Sequence, residues 1–106
     1  MNTYNKIPDE QLICRLRNGE DEIMDYLMIK YKSMVRRKAR AMYLIGGDND
    51  DLIQEGMIGL IKAVRDFNPE AGQSFSGFAE LCVSRQMYSA IASSKRKKHI
   101  PLNSYV

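Results

Sequence analysis

The fold is decided by one stretch, Asp51–Phe67, which reads DLIQEGMIGLIKAVRDF. Its apolar side chains recur every three or four residues, and this spacing places them along one stripe of an α-helix. The preceding residues, Asp48-Asn49-Asp50, carry side chains suited to capping a helix N-terminus. Asn68-Pro69 follows, and proline disfavours the helical conformation of the residue before it. We therefore expect a helix over Asp51–Asp66 whose apolar face is buried by partners.

The same helical period runs through the rest of the chain. Three further helices are expected, over Asp9–Arg17, from about Asp21 to Leu44, and from Ser74 or Ser76 to about Ser94. Gly46-Gly47 is suited to end the second of these, since glycine accepts the left-handed cap. No strand alternation persists, so the predicted fold class is all-α, a compact bundle of three main helices plus a short N-terminal helix. Residues 1–106 are interpreted as a single helical domain, with 95–106 a basic, loosely ordered tail leading to a C-terminal domain outside this chain.

The composition excludes several classes of protein. The 106 residues suffice for one domain, and they contain no run of eighteen apolar residues that would span a membrane. The first ten residues, MNTYNKIPDE, lack the apolar run of a secretory signal, so the expected location is cytoplasmic. Cys14, Cys82 and the single His99 lack metal-ligand spacing, and we expect no metal and two buried, free thiols. No set of catalytic groups is recognisable, so neither enzyme activity nor a cofactor is expected.

Charge is distributed unevenly along the chain. Residues 1–80 hold 11 basic and 13 acidic side chains, whereas residues 81–106 hold five basic and no acidic ones. Such an acid-free, cationic segment suggests a polyanion as its partner, with nucleic acid as the first choice. A second group of cations winds around the helix between residues 30 and 40, where single-stranded DNA and solvent are equally good interpretations.

The outer surface of the helix Asp51–Asp66 carries the next signal. Helical spacing places four side chains on one face: Asp51, Gln54, Glu55 and Ile58. Met57 and Ile61 flank that face and offer soft apolar contact to a helix of another protein. A solvated polar face without a partner is the alternative interpretation.

The stretch Asp51–Phe67, with glycines at Gly56 and Gly59, is similar to region 2.2 of the sigma-70 family. Downstream, the segments SFSGFAE, SRQ and IASSKRKKHIP resemble regions 2.3 and 2.4 of that family, and upstream EDEIMDYLMIKYKSMVRRKAR resembles regions 1.2 and 2.1. The resemblance covers roughly residues 9 to 103. Region 2.2 together with RKKHIPLNSYV looks most like the sigma-H group of stationary phase and sporulation.

The resemblance implies a transcription initiation factor domain. Such a domain binds core RNA polymerase and recognises and melts the promoter minus-ten element, driven by binding energy and without nucleotide hydrolysis. The residues that carry over as the surface for the coiled coil of the polymerase β′ subunit are Asp51, Gln54, Glu55, Met57 and Ile61. The family often has a polar residue at the position of Met57. An anti-sigma factor is a further candidate partner, which the sequence does not identify.

The resemblance also implies a pocket for unpaired bases. Phe78 is expected to support a flipped base of the non-template strand, and the residues expected to line the same pocket are Phe67, Asn68, Gln73 and Gly77. Aromatic stacking contributes about 1–3 kcal/mol per base. From spacing alone, core positions are the favoured interpretation of Phe75 and Phe78, because aromatic residues on a helix are usually buried. Leu81 and Cys82 stand where housekeeping members of the family carry a tryptophan pair.

Two basic features are expected to contact the DNA duplex. Ser84, Arg85 and Tyr88 match the face that reads the double-stranded upstream edge of the element, and an arginine fits the O6 and N7 acceptors of guanine. A surface arginine or a salt bridge is the alternative for Arg85. The run of cations expected to follow phosphates consists of Lys95, Arg96, Lys97 and Lys98. A solvated, positively charged helix end is its alternative.

Two other functions are consistent with an all-α domain of this size. A helical protein–protein adaptor would use the acidic face near Asp51 but would not need the acid-free C-terminal quarter of the chain. A generic DNA-binding domain without polymerase contact would not need the acidic, methionine-flanked face.

Overall fold

The structure, a computed structural model, describes the backbone of residues 3–43 and 49–103 and the side chains of residues 3–43 and 49–94. Its four α-helices are α1 Asp9–Arg17, α2 Glu22–Tyr43, α3 Asn49–Asp66 and α4 Phe75–Asn103. Short 3-10 turns cover Thr3–Lys6 and Pro69–Ala71, and the described ranges contain no strand. The prediction of an all-α bundle with three main helices and a short N-terminal one is confirmed.

Most helix boundaries lie within two residues of the predicted ones, but α4 does not end near Ser94. It continues to Asn103, because no glycine or proline interrupts the chain before Pro101 and the intervening lysines and arginine favour helix. That residues 95–106 are a loosely ordered tail stays a prediction, since their side chains lie outside the described residues. The predicted glycine stop at Gly46-Gly47 and the cap at Asp48 also lie outside them.

One hydrophobic core receives side chains from all four helices. Its members with no exposed surface are Leu12, Ile13, Ile23, Leu27, Val35, Ala39, Leu60, Ala63, Phe75, Ala79, Val83 and Met87. In α2, α3 and α4 neighbouring members of this set are mostly three or four residues apart, as the sequence pattern predicts. The helices therefore present their outer faces to the surroundings on all sides of a single core.

Two glycines of α3, Gly56 and Gly59, lie where α4 packs closely against it. A Cβ atom on Gly59 would stand 2.9 Å from the carbonyl oxygen of Cys82 and 3.0 Å from the Cα of Val83. At Gly56 it would stand 2.5 Å from the terminal methyl of Met87. Backbone cannot retreat as a flexible methionine can, so Gly59 is the position that sets the separation of the two helices.

The two cysteines are free thiols, but only one of them is partly buried. Cys82 is half-buried, and burial raises the pKa of its thiol. Cys14 is exposed, so the prediction that both thiols are buried is wrong for Cys14. It follows the buried Ile13 by one residue, which turns its side chain about 100° away from the core face.

No helix in the described ranges is long and apolar enough to cross a bilayer. Among the same residues, no group of three or more histidine, cysteine, aspartate or glutamate side chains is placed to hold a metal ion.

We predict that Gly59→Ala lowers the free energy of unfolding by about 1–3 kcal/mol, because the new methyl group pushes against the α4 backbone. Urea denaturation followed by circular dichroism measures the change. Gly77→Ala is the control, since a Cβ there would meet only the Ser74 hydroxyl, at 3.3 Å, and the change should stay within about 0.5 kcal/mol. Equal losses in the two variants would mean that α3 and α4 are not held by this contact.

Candidate polymerase and promoter surfaces

The outer face of α3 combines polar and apolar side chains. Its exposed members include Asp51 and Gln54 near the start of the helix, followed by Ile58 and Ile61, which expose 43% and 47% of their surface. Met57 is half-buried at the edge of this face. Two neighbouring isoleucines in water on a helix of this length point to a partner, since apolar patches are characteristic of interaction sites. Ile58 shares the predicted face but is not among the contacts that the resemblance implies.

Glu55 is directed towards α4 and not straight outward. It is half-buried, and its Oε1 accepts a hydrogen bond of 2.9 Å from Nε2 of Gln86. The Oε1 of Gln86 accepts a bond of 3.0 Å from Nζ of Lys62. Glu55 therefore forms one end of a polar bridge between α3 and α4, with only its other oxygen left for a partner protein.

The connection between α3 and α4, residues 67–74, is short and internally bonded. The side chain of Asn68 accepts a hydrogen bond of 3.0 Å from the backbone N–H of Glu70, and Gly72 takes the left-handed conformation with a φ of 80°. The hydroxyl of Ser74 accepts a bond of 3.2 Å from the N–H of Gly77. The exposed residues Asn68, Gln73 and Gly77 thus lie together in this connection and the first turn of α4.

Phe67 lies in the core and does not line an open pocket. Its side chain is only 2% exposed, because it continues the apolar stripe of α3 that includes Leu60 and Val64. The expected contact between Phe67 and DNA is therefore corrected, since no base can reach this ring in the folded domain. Instead, the centroid of its ring lies 5.5 Å from that of Phe75 and 5.7 Å from that of Phe78.

The structure assigns Phe75 and Phe78 different degrees of burial, which the sequence spacing alone did not separate. Phe75 has no exposed surface and is a core residue, with Tyr31 of α2 packed edge-on at 5.5 Å. Phe78 is half-buried, so one part of its ring rests on Phe67 while another part faces outward. A base stacked on Phe78 would therefore lie on a ring that the core already holds in place.

The outer face of α4 carries three exposed side chains at helical spacing, Leu81, Arg85 and Tyr88. Ser84 is half-buried beside them. Within residues 3–43 and 49–94, Arg85 forms no hydrogen bond and no ion pair, so the salt bridge considered from sequence is not present there. The two residues at the tryptophan positions differ in exposure, because 44% of Leu81 is exposed whereas Cys82 is half-buried and packs against the core.

The cations of α2 fall into two sets. Lys30 forms a salt bridge with Asp9 at 2.8 Å and Lys38 one with Glu80 at 3.5 Å, so these two side chains already have partners within the domain. The remaining cations of the helix, Lys32, Arg36, Arg37 and Arg40, are exposed. The side chains of Lys95, Arg96, Lys97 and Lys98 lie outside the described residues, and their contact with phosphates stays a prediction.

Comparison with known proteins shows which family this chain resembles. Residues 27–97 match the family described as Sigma-70 region 2. The chain is 52% identical to the RNA polymerase sigma-H factor of Bacillus licheniformis over 103 residues, covering 97% of this chain and 46% of that protein. It is 51% identical to the RNA polymerase sigma-H factor of Bacillus subtilis over 102 residues, which are 96% of this chain and 47% of the relative. A more distant relative, the RNA polymerase sigma factor SigA of Mycoplasma genitalium, is 33% identical over 99 residues.

The chain belongs to the sigma-70 family, of which it represents region 2. It spans about half the length of the sigma-H factors that it matches. The predicted family and the likeness to the sigma-H group are both confirmed.

We predict that Phe67→Ala costs about 3–5 kcal/mol of unfolding free energy, as expected for a fully buried phenylalanine. Phe78→Ala should cost clearly less, because the half-buried ring of Phe78 loses fewer contacts and leaves an open notch instead of a closed cavity. Chemical denaturation of both variants measures the two values. Equal costs would mean that Phe78 is as much a core residue as Phe67 and has no face available for a base.

Proposed function

We propose that this chain is the part of a sigma factor that binds core RNA polymerase and recognises and melts the promoter minus-ten element. The observation that carries the proposal is the arrangement of α3 and α4. The two helices are fixed side by side at Gly59, and each has an exposed face of its own. One face mixes carboxylate, amide and isoleucine, and the other carries an exposed arginine, a tyrosine and a leucine.

On the polymerase side, the α3 face would receive a helix of the β′ coiled coil. Ile58 and Ile61 supply the apolar centre, and Asp51 and Gln54 supply polar contacts at the rim. Such a division between an apolar centre and a polar rim is the usual build of a protein interface. Glu55, held by Gln86, would act mainly by keeping α3 and α4 together and would add one acceptor to the interface.

On the DNA side, the surface runs from the α3–α4 connection along α4. Asn68, Gln73 and Gly77 are exposed in the connection and the first turn of α4, close in sequence to the half-buried Phe78, on which an unpaired base would stack. Further along α4, Arg85 and Tyr88 would contact the duplex that remains closed upstream. Melting would follow from binding the open strand more tightly than the duplex, so no nucleotide is hydrolysed and no cofactor is needed. Under this proposal the chain is not an enzyme and acts in the cytoplasm.

The rival functions use only one of the two faces. A protein–protein adaptor would need the α3 face alone, which leaves the exposed Arg85 and Tyr88 without a purpose. A generic DNA-binding domain would leave Ile58 and Ile61 in water. The following two experiments test each face separately, so each rival predicts a different pair of results.

Ile61→Asp should weaken binding to core RNA polymerase by about 2 kcal/mol, the loss expected when a central apolar contact is removed and a charge is buried. Ile29→Asp is the matched control, because Ile29 is an exposed isoleucine on α2 with 76% of its surface in water. Titration of core polymerase with the labelled chain measures both affinities. If the two variants bind equally well, the α3 face is not the polymerase surface.

Arg85→Ala should change which base pair is preferred at one upstream position of the minus-ten element, by about 1–3 kcal/mol of discrimination. The reason is that Arg85 sits in the middle of α4, where a rigid backbone can aim its guanidinium at a base edge. Binding of the polymerase complex to a set of promoter variants measures the preference. Arg65→Ala, which removes an exposed arginine paired with Asp66 on α3, is the control. A uniform loss over all promoters would make Arg85 a phosphate contact.

A further inference from the structure

Helix α1 is bonded to the end of α3 through one arginine. The Nη2 of Arg17 lies 3.0 Å from the carbonyl oxygen of Val64, 3.1 Å from that of Arg65 and 2.6 Å from that of Phe67. The last carbonyls of a helix have no partner within the helix and carry its partial negative charge. A guanidinium is therefore well matched to this position, and Arg17 closes the C-terminal end of α3.

The same helix is bonded to the start of α4 through one glutamate. The Oε2 of Glu10 accepts a hydrogen bond of 2.7 Å from the backbone N–H of Phe75, the first residue of α4. The first N–H groups of a helix are likewise unpaired within the helix and carry its partial positive charge. A carboxylate at this position accepts a hydrogen bond from the unpaired N–H and also offsets the partial positive charge.

Glu10 and Arg17 together bracket the α3–α4 connection. They are seven residues apart on α1, which is two helical turns or about 10 Å, so they lie on the same face of the helix. Each carries the charge opposite to that of the helix end it touches. The connection that holds Asn68 and Gln73 is thus fastened at both of its ends to one short helix.

Helix α1 is itself firmly attached to α2. Leu12 and Ile13 are fully buried, and Asp9 accepts hydrogen bonds from Nζ of Lys30 at 2.8 Å and from the hydroxyl of Tyr31. Burial raises the pKa of Tyr31, and the bond to Asp9 raises it further, so the phenol stays protonated as a donor at neutral pH. Helix α1 therefore links the connection to α2 and fixes its position relative to that helix.

We propose that Glu10 and Arg17 are positioning residues that set the geometry of the α3–α4 connection for single-stranded DNA. The inference rests on the proposed function. Neither side chain belongs to the α3 face assigned to polymerase, so releasing the connection should weaken binding of the open strand and leave polymerase binding intact. Arg15 provides the contrast on the same helix, because its guanidinium bonds Glu20 at 2.8 Å and, among the described residues, forms no hydrogen bond with the connection.

The test uses the chain bound to core RNA polymerase and two single-stranded oligonucleotides. One is selected by the wild-type complex from a random pool, and the other is a scrambled sequence of the same composition. Arg17→Gln and Glu10→Gln should each bind the selected strand about five- to tenfold more weakly, the lower part of the range for coupling between sites. Their affinity for core polymerase and for the scrambled strand should remain within about twofold of wild type. Arg15→Gln should match wild type in all three measurements.

The two variants separate positioning from simple charge. Arg17→Gln removes a positive charge and Glu10→Gln removes a negative one, so a general electrostatic effect would change DNA affinity in opposite directions. Positioning predicts a loss in both. If Arg17→Gln does not fold, Glu10→Gln decides the question, because its amide oxygen keeps only a weaker, uncharged bond to the N–H of Phe75, so the domain should still fold while the connection is held less firmly.

Several outcomes would overturn the inference. Wild-type affinity in both variants would do so while leaving the proposed function standing, and so would an equal loss in Arg15→Gln. A parallel loss of polymerase binding would reduce Glu10 and Arg17 to general stability. If the wild-type complex selects no single strand at all, the proposed function fails first and the positioning role falls with it.

Discussion

The separation of α3 and α4 at Gly59 is the constraint on which the rest of the molecule depends. With a backbone oxygen 2.9 Å from where a Cβ would lie, the two helices are in direct main-chain contact. This closeness lets Gln86 bridge Glu55 and Lys62, and it brings Val83 and Met87 into the core beneath α3. A wider spacing would break the bridge and open the core. The outer faces of α3 and α4 consequently behave as two sides of one rigid unit, because neither helix can shift without moving the other.

The second requirement is that buried helix ends find hydrogen-bond partners. Where α3 gives way to α4, backbone carbonyls and N–H groups become unpaired close to the core, and leaving such groups unsatisfied costs about 1–3 kcal/mol each. Arg17 and Glu10 meet this demand from outside the two helices, and Ser74 meets it from within the connection. Helix α1 is short, yet it supplies both charged partners. Its presence therefore explains why so tight a connection is compatible with a closely packed helix pair.

The sequence predicts the helices well and their polar contacts poorly, for a physical reason. Helical periodicity is local, so the bounds of α1 and the stripe of α3 follow from neighbouring residues. The bond from Arg17 to Phe67 joins residues 50 apart, and the bond from Gln86 to Glu55 joins residues 31 apart, which no local pattern encodes. Phe67 illustrates the same limit. The resemblance suggests a base contact, whereas its place at the end of the apolar stripe puts it in the core, and only packing decides between the two.

The buried position of Phe67 changes how the proposed melting surface would work. Stacking on a mobile ring would lose part of its energy to ordering that ring, whereas Phe78 is already held at 5.7 Å by Phe67. The core thus prepares the surface before DNA arrives. At the tryptophan positions the core prepares no comparable surface, because Leu81 is exposed and Cys82 is half-buried against the core. A single leucine covers less of a base pair than a tryptophan pair, so under the proposed function a larger share of the binding energy would have to come from specific contacts such as the one proposed for Arg85. Under the proposed function, this balance favours a domain that opens a narrow set of promoters over one that opens many.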